Sequence, residues 1–258
     1  MYSYQHRYHA GNFADIHKHL GLLATLESFH KKETPYAVLD AFAGEGVYDL
    51  TCMEAKKTNE FETGFHKLLK APNPPALVQK FIQMALKLDD QKQTYPGSGF
   101  IIQETLRPQD RGILIENHPQ AFELLKNNLK SPLVEIHKRD AYEAIKAFTP
   151  FKEKRGLVFL DPSFEVKEEY QTIAKAVLNN LKKFSHGVFM IWYPILKPRY
   201  HQILVEALSS HPKTYQSEFV LFPNEQEGLL GSGLFVINPP WQLEEELNPV
   251  FDYLKNIL

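Results

Sequence analysis

Apolar positions along the chain fall into short blocks separated by longer stretches of helical spacing. Ile16, Leu20, Leu22, Leu23, Leu26 and Phe29 recur as one face of a helix over residues 12 to 30, with Asn12 or Asp15 as possible caps. Tyr36 to Asp40 is a short apolar run that enters Ala41-Phe42-Ala43-Gly44-Glu45-Gly46, a strand leading into a glycine loop. Residues 51–94 break this rhythm: Pro72, Pro74 and Pro75 separate two helical pieces, Gly64 to Leu69 and Ala76 to Leu88, which predicts an inserted helical subdomain.

From Phe100 onward the alternation becomes regular. Helices are predicted over Phe100 to Leu106, Pro119 to Leu129, Ala141 to Phe148, Glu168 to Phe184 and Tyr200 to Leu208. The strands between them are Ile113 to Glu116, Leu133 to His137, Gly156 to Asp161 and Val188 to Trp192. Two further strands, Glu218 to Phe222 and Leu234 to Asn238, have no helix between them and should pair antiparallel. The pattern predicts an α/β fold, a doubly wound Rossmann-like sheet closed by a C-terminal antiparallel hairpin, with residues 1–258 as one domain.

Composition changes this picture little. At 258 residues, 43% hydrophobic and 23% charged, the chain is an ordinary globular protein, which excludes disordered and collagen-like classes. The lone Cys52 can form neither an internal disulfide nor a thiolate metal site, so a reducing, cytoplasmic setting is the simplest expectation. No signal-peptide core opens the sequence, and Val188 to Leu196 is too short and too broken by Pro194 to span a membrane. A net charge of −2 requires that any nucleic-acid binding come from a local basic patch.

Candidate chemistry gathers at the predicted strand tips. Asp161 precedes a proline, which keeps it extended and projects its carboxylate from the end of a buried strand. An acid, a free Pro162 carbonyl and the Phe164 ring would together suit a planar base bearing an amine, although Asp-Pro turns are also common without any ligand. Gly44 and Gly46 permit close approach of backbone to a ligand, but Asp49 stands where a dinucleotide fingerprint would carry its third glycine. Glu116 can bind paired ribose hydroxyls or cap a helix, and Asp140 can accept an adenine amine or serve as an N-cap. Each position alone is ambiguous. Four successive strands ending at Asp40, Glu116, Asp140 and Asp161 form a row of acids along one edge.

That order resembles the S-adenosylmethionine-dependent methyltransferases. Tyr4-Gln5-His6, His9-Ala10-Gly11-Asn12, Ala14-Asp15, Lys18-His19, Tyr95-Pro96-Gly97-Ser98, Trp192-Tyr193-Pro194 and Asn238-Pro239-Pro240-Trp241 are similar to the large-subunit (23S) ribosomal RNA adenine-N6 methyltransferase J family, across essentially the whole chain. The resemblance implies that S-adenosyl-L-methionine is held by Lys18, His19, Phe42, Gly44, Ser98, Glu116, Asp140, Ala141 and Asp161. It also implies that Asp161, Pro162 and Phe164 act on the target adenine and that Tyr4 touches the RNA. The implied partner is 23S ribosomal RNA, reached before full ribosome assembly, for a cytoplasmic monomer without membrane attachment.

Two positions depart from the family pattern. Phe42 replaces a histidine in the first-strand loop, and Asp161-Pro162-Ser163-Phe164 stands for Asp-Pro-Pro-Tyr. The alternatives are a donor-binding relative without catalysis, a protein acting on DNA, and hydride transfer on a nicotinamide, which the missing glycine and Asp161-Pro162 oppose. No metal is expected, since His6, His9, His17 and His19 lack an accompanying carboxylate or cysteine pattern.

Overall fold

A strand sends successive side chains to opposite faces, and a run that is apolar at every position must therefore be covered on both. The computed structural model, which describes residues 5–225 and 227–258, meets that requirement with helices on either side of a central sheet. Leu157 and Phe159 pack into one core cluster while Val158 and Leu160 pack into the other.

In chain order, a 3-10 turn at His6–Tyr8 precedes α1 (Phe13–His30), β1 (Ala37–Asp40) and β2 (Val47–Asp49). The helices α2 (Met53–Thr58), α3 (Glu60–Thr63), α4 (Phe65–Lys70) and α5 (Ala76–Leu88) follow, then β3 (Thr94–Pro96) and α6 (Ser98–Thr105). The regular alternation comprises β4 (Arg111–Ile115), α7 (Pro119–Asn128), β5 (Val134–His137), α8 (Ala141–Phe148), β6 (Gly156–Leu160), α9 (Glu168–Leu181), β7 (Val188–Ile195) and α10 (His201–Leu208). The chain closes with β8 (Thr214–Val220), β9 (Gly231–Ile237) and α11 (Leu243–Ile257).

The seven-stranded sheet has the order β5-β4-β1-β6-β7-β9-β8. β1, β4, β5, β6 and β7 run parallel, and β9 pairs antiparallel with both β7 and β8. The expected doubly wound sheet with an antiparallel hairpin is therefore the observed one. β2 and β3 form a separate antiparallel ribbon that flanks the glycine loop, where Gly97 N–H donates to the Gly46 carbonyl at 2.9 Å.

Local chemistry explains the element starts. Asn12 Oδ1 accepts from Asp15 N–H at 2.9 Å to cap α1, and Asp140 Oδ1 accepts from Glu143 N–H at 3.0 Å to cap α8. Between β2 and β3 the chain is more helical than the two predicted pieces, and Phe61, Phe65, Leu68, Val78 and Phe81 bury into the same core cluster as α1. β7 continues through Pro194 to Ile195, and β8 begins at Thr214 rather than Glu218.

Helix α11 lies beyond the last predicted element. Pro249, inside it, removes a backbone donor and reads in sequence as a breaker. Burial of Leu243, Leu247, Val250, Phe251 and Leu254 as a single stripe outweighs that loss. Among the described residues, no helix is long and apolar enough to cross a membrane.

Candidate active site

The parallel strands β5, β4, β1 and β6 end side by side, so the residues after them share one edge of the sheet. A cleft of about 400 Å³ opens there, lined by Lys18, His19, Phe42, Gly44, Ser98, Glu116, Asp140, Ala141, Asp161 and Pro162 among others. These residues come from six separate stretches of chain. Every cofactor-site position expected from the sequence borders this one cavity.

Gly44, with φ of 59°, turns its N–H toward Glu116 Oε2 at 2.9 Å, while Glu116 Oε1 accepts from His118 N–H at 2.7 Å. A side chain at position 44 would run into the Tyr48 hydroxyl, so the left-handed turn and the close approach both demand glycine. Burial raises the Glu116 carboxyl above its ordinary range, against the His118, Gly44 and Asn117 amides that favour its charge. Three amides on a carboxylate with about four lone-pair sites leave acceptor capacity for a further donor.

Asp40 is fully buried at the tip of β1. Its Oδ1 accepts from Phe42 N–H at 3.2 Å, and its Oδ2 has no hydrogen-bond partner. Burial pushes this carboxyl up to about 7, with Asp161 and Glu116 adding like-charge repulsion and the Ser98 hydroxyl and Phe42 amide opposing it. A buried acid with one unpartnered oxygen, behind a cleft whose walls carry Glu45, Glu116, Asp140, Asp161, Glu165 and Glu169, suits a ligand that bears positive charge.

Asp140 is an N-cap, as one reading of its sequence position holds, and it borders the cleft as well. Phe42 meets Tyr142 edge-on with ring centres 6.3 Å apart, giving the same wall an aromatic surface. His19 is buried, stacks on Tyr95 and shares a 2.7 Å hydrogen bond with its hydroxyl. Burial holds the His19 imidazole down at about 3, so it is neutral at physiological pH.

Lys18 crosses from α1 to the β6 tip. Its Nζ lies 2.7 Å from Asp15 Oδ1 and 2.5 Å from Asp161 Oδ2, with all three side chains largely shielded from solvent. Asp15 Oδ2 also accepts from Gly11 N–H at 2.8 Å and faces His6 Nε2 at 3.0 Å. Burial alone would raise the Asp15 carboxyl, but His6 and Lys18 outweigh it and hold the group well below the usual range.

Phe164 departs from expectation. It is buried in the core behind the loop, stacked on Tyr170 at 4.3 Å, and does not border the cleft. A φ of 50° reverses the chain at Phe164, and burial against Tyr170 outweighs the cost of that sparsely populated backbone region. Tyr4 lies outside the described residues.

Arg7, read from the sequence with Lys18 and His19 as a cofactor or RNA contact, lines the cleft, as do Glu45, Tyr48, Asn117, His118 and Tyr142, which sequence reading passed over. Arg7 Nε donates to Glu45 Oε1 at 2.5 Å, which ties the N-terminal turn to the glycine loop. A neighbour rule would have found His118 and Tyr142, two positions after Glu116 and Asp140. The ribbon that brings in Tyr48 had no sequence signal. The histidines considered as a cluster have different partners: His6 meets Asp15, His9 meets Glu60, His17 meets Ser232 and Ser217, and His19 meets Tyr95.

Comparison with known proteins is consistent along the chain. The family model described as ribosomal RNA large subunit methyltransferase D, RlmJ, matches residues 33–258. A Haemophilus influenzae protein named ribosomal RNA large subunit methyltransferase J is 35% identical over 265 residues, covering 100% of this chain and 94% of its own length. An Escherichia coli protein of the same name is 33% identical over 264 residues, with the same coverage of both. A crystal structure of a Legionella pneumophila protein superposes with a TM-score of 0.90 at 34% identity, over 96% of this chain and 94% of that one.

Proposed function

Because this chain belongs to the ribosomal RNA large subunit methyltransferase J family, we propose that its cleft transfers a methyl group from S-adenosylmethionine to the N6 amine of an adenine in 23S ribosomal RNA. The observation that carries the chemistry is the Asp161 carboxylate, fixed by Lys18 at 2.5 Å at the mouth of an acid-lined cleft.

S-adenosylmethionine supplies an electrophilic methyl on a cationic sulfonium. The cleft fits such a molecule. Glu116 retains acceptor capacity for a ribose hydroxyl, Asp140 and Ala141 border the space for an adenine edge, and Phe42 with Tyr142 offers an apolar wall. Gly44 leaves room for close backbone approach, while Lys18, His19 and Ser98 close the inner side. The unpartnered Asp40 oxygen adds negative potential behind the floor.

The adenine amine is a weak nucleophile because its lone pair is delocalised into the ring. Asp161 and the Pro162 carbonyl are assigned as the two acceptors that draw its N–H bonds away from the ring plane and orient the nitrogen for in-line attack. Lys18 holds the Asp161 carboxylate in place, where it acts as an acceptor that orients the amine rather than as a base. The base must leave its stack to reach this depth, which costs a few kcal/mol.

Phosphate binding is assigned to the rim. Lys138 and Arg139 follow β5, Lys167 follows β6, and Lys197 and Arg199 follow β7, all at the strand ends around the cleft. This local patch meets the requirement set by a net charge of −2. We read the substrate as RNA free of most ribosomal proteins, the protein as a cytoplasmic monomer, and residues 51–94 as a helical insert in one domain. Transfer of labelled methyl to unmodified large-subunit RNA, with nucleoside analysis, tests the assignment: N6-methyladenine is the expected product, and a different nucleoside or no product overturns it.

A further inference from the structure

The inward turn of Phe164 leaves the amine-binding loop without an aromatic face of its own on the cleft. Trp192 lies beside that gap, outside the cleft lining, with its ring centre 6.2 Å from that of Phe164. Strand register aligns Leu160 with Ile191, so the residue after β6, Asp161, is level with Trp192 on the neighbouring strand. The Lys18 ammonium that holds Asp161 at 2.5 Å also lies 5.2 Å from the centre of the Trp192 ring. Its neighbours Ile191, Tyr193, Pro194 and Ile195 are buried, whereas Trp192 is partly exposed.

The indole is also held in place. Its Nε1–H donates to Ser232 Oγ at 2.9 Å, Ser232 is fully buried, and its hydroxyl meets His17 Nδ1 at 2.8 Å. His17 Nε2 in turn meets Ser217 Oγ at 3.1 Å. A core tryptophan needs only one acceptor for its N–H. This one is anchored through a chain of buried polar groups reaching from β9 to α1 and β8, which fixes the ring plane beside the reactive carboxylate.

We propose that Trp192 is the stacking platform for the target base, holding the purine flat while its amine meets Asp161. The assignment rests on the adenine-amine reading of the cleft. A rigid aromatic face preorganised at the acceptor aligns the nucleophile without ordering a side chain at the moment of binding.

The chain contains two tryptophans, and the second, Trp241, is 81% exposed beyond the far end of β9, where Ile237 pairs with the start of β7. A Trp241→Phe variant therefore carries Trp192 as its sole tryptophan reporter. Titration with an unmodified large-subunit RNA transcript should quench its emission saturably. Trp192→Ala should raise KM for that RNA about 5- to 150-fold, the factor equivalent to about 1–3 kcal/mol of base stacking, with donor binding by calorimetry unchanged. Trp192→Phe keeps a ring and should restore KM to within a few-fold.

No quench on RNA addition, or an unchanged RNA KM in folded Trp192→Ala, overturns the platform. Donor affinity lost in parallel would mark Trp192 as merely structural and overturns it too. Wild-type product is measured in the same samples, so failure of the methyltransferase reading shows as absent transfer, while the quench still decides on Trp192.

Discussion

Lys18 Nζ sits 2.5 Å from Asp161 Oδ2 and 2.7 Å from Asp15 Oδ1, one buried cation shared by two carboxylates. The pair links α1, near its capped N-terminus, to the loop after β6. Removing the cation leaves two acids facing each other in a low-dielectric site. Lys18→Met should therefore destabilise the fold by about 3–5 kcal/mol and collapse transfer, read by urea denaturation and methyl incorporation. A variant as stable and active as wild type would show that Asp161 needs no counter-ion.

Asp161→Asn keeps the shape of the side chain but supplies a weaker acceptor and, in one orientation, a competing donor. Turnover should fall by about 10²–10³ or more while donor affinity, measured by calorimetry, holds within a few-fold. Asp15 continues to pair Lys18, so the protein should remain folded. Turnover near wild type would sink the acceptor role.

Asp40 gives a pH signature of its own. Its folded value near 7 exceeds the ordinary value of about 3.9, so the folded chain binds the extra proton between those limits. Stability from this group is present below pH of about 4, declines as pH rises toward 7, and is constant above. Asp40→Asn should remove that slope, amounting to about 4 kcal/mol across the window. Parallel stability–pH curves for the two proteins would refute the assignment.

Tyr170 carries a buried hydroxyl with no partner beneath the Phe164 ring. Tyr170→Phe removes the unsatisfied group and keeps the stack, so the urea midpoint should rise by the equivalent of about 1 kcal/mol. Phe164→Ala should lower it by about 3 kcal/mol through loss of a buried ring.

Lys167, Lys197 and Arg199 are exposed at the strand tips. Replacing each with alanine should weaken RNA binding about equally for matched and unrelated sequences, and should lower the salt slope by about one per residue if each meets a phosphate. An unchanged slope in fluorescence titrations would move the RNA track elsewhere.

Much of this protein was legible from periodicity. Apolar runs too short for helices, each followed by a helical stretch, specify parallel strands with crossovers, because only that arrangement buries both faces of every strand. Asp40, Glu116, Asp140 and Asp161 were recognisable as a row because strand ends in such a sheet share one edge. The closing hairpin followed from the absence of a helix between its strands.

What tertiary structure decided were the contacts between distant segments. The direction of Phe164 depends on a left-handed turn and on Tyr170, six residues on, neither of which a local pattern encodes. The Lys18 bridge joins positions 15, 18 and 161, and the Trp192 anchor joins 17, 217 and 232, so both exist only once α1 has docked on the sheet. Helix α11, hidden by Pro249, forms because its apolar stripe finds a surface to cover. Sequence by itself determined the alternating strands and helices of the main sheet and which edge collects the acids, since local periodicity and chain connectivity suffice for that. Partner choice, ring orientation and the protonation of Asp40 were left to packing, because burial and neighbouring charge arise only in the assembled core.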